Sequence, residues 1–153
     1  MDCIEIIKKA ASASGLQFQM GHINEMSDIL NSTTAQNLTA YPCVMVLEDI
    51  RETESKGESV ATLQIMIVTN SEPKLQPYTR WTDEMIGKLE PLYEALKKNV
   101  SKEARLIEPI NKIYRPRVSN AFTTSNNDRI VFSQFLNGLE LRDFKISYLK
   151  TTC

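Results

Sequence analysis

The sequence predicts an α+β fold, an antiparallel sheet with a long β-hairpin and two main helices packed on one face. Three observations carry that prediction. Apolar residues recur at helical spacing from Trp81 to Val100. Two apolar runs, "CVMVL" and "TLQIMIV", flank a charged turn. Beyond position 108 the pattern returns to strands. With 153 residues, no internal repeat and no dividing linker, the chain reads as a single domain, 1–153.

The opening stretch "MDCIEIIKKAASASG" predicts a helix over 2–14, because Cys3/Ile4, Ile7, Ala10/Ala11 and Ser14 fall on one side. Asp2 suits its N-terminus and Gly15 its end. Residues 16–23 read as a short extended piece, and "NSTTAQNLTA" as a polar connection rich in turn formers. Pro42 opens the first strand, where Cys43, Met45 and Leu47 share one face and Val44 and Val46 the other, so both faces are apolar. Lys56 and Gly57 make the hairpin turn. In the returning strand Leu63, Ile65 and Ile67 share a dry face, while Thr62, Gln64 and Met66 form a mixed face, a candidate subunit interface.

Trp81, Met85, Leu89, Leu92, Leu96 and Val100 then form a stripe spaced by fours and threes. Thr82, with Asp83 and Glu84 behind it, predicts the helix start, and Pro91 within the stripe predicts a kink. "INKIYRPRV" reads as a strand with Pro116 placing it at an edge. "SNAFTTSNND" reads as a loop of about ten residues. Asn137 and Gly138 predict a hairpin between "RIVFSQFL" and "LELRDFKISYL". Leu139 and Leu141 share one parity whereas Phe144, Ile146 and Tyr148 share the other, which predicts a β-bulge near Arg142 and Asp143.

Composition excludes several function classes. No apolar run approaches the roughly 20 residues that span a bilayer, so no membrane role is expected. The start lacks the basic flank and apolar core of a signal peptide, and three unpaired-looking cysteines fit a reducing compartment. A net charge of −1 argues against a dedicated nucleic-acid binder.

Candidate chemistry is sparse. Cys43 has no cation next to it in sequence to lower its pKa, so it reads as a small buried hydrophobe. His22 is the sole histidine, and a Cys43–His22 dyad is the one thiol-nucleophile arrangement the chain permits. Too few Cys and His residues cluster for zinc, and Gly21, Gly57 and Gly87 form no phosphate loop, so no metal or cofactor is expected. The acids Glu48, Asp49, Glu52 and Glu54, interleaved with Arg51 and Lys56, read as a solvated hairpin tip. Trp81 and Tyr93 read as core. Lys97, Lys98, Lys102 and Arg105 after the long helix, then Lys112, Arg115 and Arg117 on the next strand, read first as ordinary surface charge and, alternatively, as a patch that faces phosphates nonspecifically.

The succession "YPCVMVLED", "TLQIMIVTNSEP", "RWTDEMIGKLEPLYEALKKN" and "NDRIVFSQFLNGLELRDFKI", covering roughly residues 41–149, resembles the tail-terminator or tail-completion proteins of tailed bacteriophages and prophages, especially versions from phages of gut Bacteroidetes. That resemblance implies a tail-terminator-like disc and no enzyme activity. It also implies a homo-oligomeric ring, commonly a hexamer, that caps the tail tube and joins it to neck or head-completion proteins. Assembly would take place in the bacterial cytoplasm, and the product would reside in the virion tail or neck. The seven basic residues would then face a channel or docking surface with at most nonspecific DNA contact. The N-terminal third matches no pattern of that family. A small intracellular adaptor or inhibitor domain without catalysis is the alternative class, and a thiol enzyme using Cys43 and His22 a third.

Overall fold

The computed structural model describes residues 1–22, 41–72, 74–123, 126 and 129–149. The predicted polar connection at 31–40 and part of the predicted loop at 119–128 lie outside them.

Helix α1 (Cys3–Ala13) begins where the sequence places it, with the Asp2 carboxylate accepting the Glu5 amide at 2.8 Å. It buries Cys3, Ile6, Ile7, Ala10 and Ala11. Strand β1 (Gln17–Gly21) follows and pairs in parallel with β2 (Cys43–Leu47). The sheet is therefore mixed, where the sequence predicts an antiparallel one. Parallel neighbours need a long connection to bring the chain back to the same end, and the stretch between Gly21 and Cys43 is long enough.

Strands β2 and β3 (Arg51–Ser55) both pair antiparallel with β4 (Glu58–Asn70), so the long hairpin is present with its first strand interrupted at 48–50. Its two-residue turn has Lys56 at φ 51° and Gly57 at φ 80°, the doubly positive conformation whose twist matches that of antiparallel strands. The Tyr148 hydroxyl donates to Glu52 and ties this tip to the last strand.

The helical rod starts four residues before Trp81. It comprises α2 (Pro77–Arg80), a π-helical stretch (Trp81–Leu89) and α3 (Glu90–Val100). Pro77 occupies a first-turn position, where a missing amide costs nothing, so Thr82 lies inside the rod and donates to the Thr79 carbonyl instead of capping. Where the sequence predicts a kink at Pro91, the structure has widened turns. The Glu90 amide reaches back to the Met85 carbonyl, and Pro91 falls in the first turn of α3.

Strands β5 (Arg105–Ile107) and β6 (Asn111–Ala121) both pair with β7 (Ile130–Leu149), and β7 pairs along its other side with β4. The sheet order is β1-β2-β4-β7-β5, with β3 beside β4 and β6 beside β7. Among the described residues Pro116 sits on a strand with a single sheet neighbour, as predicted for an edge, and the β6 register jumps between Arg115 and Val118 around it. The hairpin predicted at Asn137-Gly138 is absent. β7 runs straight through, with Asn137 opposite Thr69 and Gly138 opposite Val68. The reason is burial: Asn137 is fully enclosed as a hydrogen-bonding hub, and a Cβ on Gly138 would fall 1.9 Å from the Met66 Cε.

The bulge expected near Arg142 and Asp143 is present. Leu63 faces Phe144 and Ile65 faces Leu141, so two residues of β7 oppose Gln64 alone. Asp143 takes φ 51°, and Gln64 satisfies it twice, accepting its amide at 3.1 Å and donating to its carboxylate at 2.7 Å. The bulge is what lets Leu139, Leu141, Phe144, Ile146 and Tyr148 all join one core despite their change of parity. That core lies between the sheet and the helices. A second, smaller one on the opposite face gathers Cys43, Met45, Met66, Val68, Ala121, Ile130 and Leu136. Both faces of β2 are thus buried, as its all-apolar sequence requires.

Candidate functional site

The seven basic residues do not form one surface. Lys97 and Lys112 converge on Tyr93, their Nζ atoms 4.8 and 4.7 Å from the ring centroid. Each also meets an acid of the same helix, Lys97 with Glu94 at 3.4 Å and Lys112 with Glu90 at 2.9 Å. Arg105 stands at the start of β5, 3.5 Å from Glu58. The Ser147 hydroxyl, and then Arg105, hold the Glu58 carboxyl below its ordinary value. Lys98 and Lys102 are exposed. Arg115 contacts Glu140 at 3.1 Å, and the Arg117 guanidinium lies 5.0 Å from the Phe135 ring centroid. The sequence shows the cations but hides their partners, because Glu58 and Glu140 reach them only through strand pairing.

Of the mixed face on β4, Thr62 and Gln64 are half-buried and Met66 is fully buried. Gln64 is engaged with the bulge, and Met66 is packed into the second core against Gly138. Met66 is therefore not available to a neighbouring subunit in this fold. Its expected exposure fails because β6 and β7 supply Ala121, Ile130 and Leu136 to cover that side of the sheet.

Cys43 and His22 are not brought together. Cys43 pairs with Gln17 at one end of β1, and His22 follows Gly21 at the other, which is about 16 Å of strand. Cys43 is 1% exposed, and burial pushes its thiol up to about 12. Alkylation of the native protein at pH 8 is expected to leave Cys43 unmodified until denaturant is added. Peptide mapping after iodoacetamide treatment checks this, and rapid native modification would contradict the burial. Tyr93 is core as expected, but Trp81 is 40% exposed and meets Tyr114 edge-on with centroids 4.9 Å apart.

Two arrangements escaped sequence reasoning. The first is a buried polar chain. Glu84, 2% exposed, accepts the Glu72 amide at 2.9 Å on Oε1 and the Asn137 side-chain amide on Oε2. Asn137 Oδ1 accepts the Arg117 amide at 3.0 Å. This chain links the π-helical stretch, β7 and the irregular part of β6. Glu84 reads from sequence as an exposed acid complementing a helix start, and only the earlier start at Pro77 turns it inward.

The second is a polar cleft of about 300 Å³ on the sheet face away from the helices, lined by Arg115, Arg117, Ser119, Asn120, Glu140 and Arg142 among others. Arg115 and Arg142 both bind Glu140 Oε2, through Nη2 at 3.1 Å and Nε at 3.3 Å. Only 3% of the Glu140 side chain is exposed, against 39% for Arg115 and 55% for Arg142. Arg142 is the member the sequence did not single out; its proximity follows from Asn111 pairing with Arg142.

Among the described residues no group of three or more His, Cys, Asp or Glu side chains is placed to hold a metal, and no helix is long and apolar enough to cross a membrane. No family model matches the sequence, and no curated protein matches it.

Proposed function

We propose that the chain is a structural virion subunit of a tailed phage or prophage, a tail terminator or neck ring protein that assembles with copies of itself. The observation that carries this reading is β3. All five of its residues are exposed, and among the described residues its one sheet neighbour is β4, which places it at an edge of the described sheet. An edge of this kind, repeated on every copy, suits a head-to-tail contact that closes into a ring. The exposed Tyr78, Trp81 and Ile86 on the helical rod add apolar and aromatic surface of the sort enriched at protein contacts. The resemblance across roughly residues 41–149 points the same way. Because four of the seven basic residues meet carboxylates, any nonspecific contact with DNA in a channel would be weak.

Native mass spectrometry across a concentration series tests the proposal. A discrete closed oligomer is expected, with a hexamer the specific expectation. A monomer at every concentration that also fails to bind tail-tube ends would overturn it in favour of a small adaptor or inhibitor domain.

A further inference from the structure

We propose that the cleft formed by Arg115, Arg117 and Arg142 is a binding site for a phosphoryl group. The argument begins with donors and acceptors. Three arginines line the cleft, and the guanidinium groups of Arg115 and Arg142, both held on Glu140, bring roughly ten N–H donors to it, since each carries five in a fixed fork. Glu140 takes three of them, two from Arg115 and one from Arg142, all on the single oxygen Oε2. Glu140 leaves most of those donors untaken, and among the described lining residues the three arginines outnumber the one carboxylate.

Placement supports the same conclusion. Glu140 is almost wholly enclosed, so it acts as a fixed anchor that orients Arg115 and Arg142 side by side instead of letting them sweep through solvent. Backbone irregularities frame the cleft: Arg117 and Phe122 take φ values of 49° and 54°, and Asp143, next to Arg142, takes 51°. The Arg117 conformation is held by the hydrogen bond that its backbone N–H donates to Asn137 Oδ1, which connects the cleft to the buried Glu84 chain. A space of about 300 Å³ with polar walls admits a phosphate or pyrophosphate and leaves little apolar surface to favour a hydrophobic ligand. Guanidinium forks match tetrahedral oxyanions bidentately, which ammonium groups do not.

The test is calorimetric titration of the full chain with pyrophosphate at constant ionic strength. Binding in the millimolar range or tighter is expected. Arg142→Gln should weaken it about tenfold, and Arg142→Lys, which keeps the charge but loses the fork, should weaken it by less. Lys98→Gln, outside the cleft, should leave it unchanged. Arg142 is more than half exposed, so circular dichroism is expected to show both its variants folded; Arg117→Gln offers an independent reading of the same cleft. A single-stranded oligonucleotide distinguishes the sources. If it binds and pyrophosphate displaces it, the phosphoryl group belongs to a nucleic-acid backbone. If it does not bind while pyrophosphate does, the ligand is a free phosphate compound. Absence of pyrophosphate binding, or equal loss in Arg142→Gln and Lys98→Gln, overturns the site. Loss of oligomerisation in Arg142→Gln without any pyrophosphate binding would also overturn it and assign the cleft to an acidic group of a second copy.

Discussion

Glu84→Ala is expected to destabilise the protein by roughly 2–4 kcal/mol, because it strands one buried donor, at about 1–3 kcal/mol, and removes the acceptor of a part-buried one, at about 0.5–1.5 kcal/mol. The donors are the Glu72 amide and the Asn137 side-chain amide, and Asn137 is itself fully enclosed, so water offers no replacement for the lost partner. The loss spreads, since Asn137 also accepts the Arg117 amide and so holds the irregular part of β6. Glu84→Gln separates hydrogen-bond capacity from shape. Its amide has one accepting oxygen where the carboxylate has two, so one of the two donors loses its bond and a loss of about half the alanine effect is expected. Urea denaturation of both variants checks this. Shifts within about 0.5 kcal/mol of the parent would place Glu84 among ordinary surface residues and contradict its burial.

The second large effect is expected at Gly138. Adding a methyl group there puts it 1.9 Å from the Met66 Cε, with Sδ at 3.4 Å and Cγ at 3.5 Å. Met66 is flexible in principle but fully enclosed, so moving it displaces other core atoms. Gly138→Ala should cost about 1–3 kcal/mol by overpacking, and Met66→Ala about 2–5 kcal/mol by leaving a cavity. Combined, the new methyl group enters the space that Met66 vacates. The double variant should be more stable than the sum of the single effects by at least about 1 kcal/mol. Additivity within experimental error would show that the two sites do not share space.

These two residues also explain where sequence reading stopped. Asn-Gly is a strong hairpin signal because the pair tolerates positive φ, and at 137–138 the same two residues serve burial instead. The asparagine is there for its amide and the glycine for the absence of a side chain, but the groups that require this, Glu84 and Met66, are distant in sequence. The helix start failed similarly: Thr82, Asp83 and Glu84 look like a cap, whereas Pro77 supplies a start with no side-chain bond at all.

What was legible depended on local rules. The Asp2 cap, the Lys56-Gly57 turn, the two-faced apolar strand at Cys43 and the parity slip near Arg142 each follow from neighbours in the chain, and all are present. The parallel pairing of β1 depends on how a long connection returns, which periodicity does not encode. The Arg115–Glu140–Arg142 cluster was half visible. Its cation on β6 stood out, while the carboxylate and the second arginine arrive from β7 through register alone.

The length and position of β7 carry a consequence for how the molecule forms. Its pairings join Glu58 to Leu149 and Asn70 to Leu136, so nearly every bond along one side of β4 is made with residues many tens of positions later. The β3–β4 hairpin can close by itself, but it then presents the whole far side of an apolar strand with its amides and carbonyls unmet. Loop-closure entropy has to be overcome before those groups find their partners, a high-contact-order topology that folds slowly. On a ribosome, that edge emerges well ahead of the strand that covers it, making the nascent hairpin the point at which chains of this sequence are most apt to associate before they have folded.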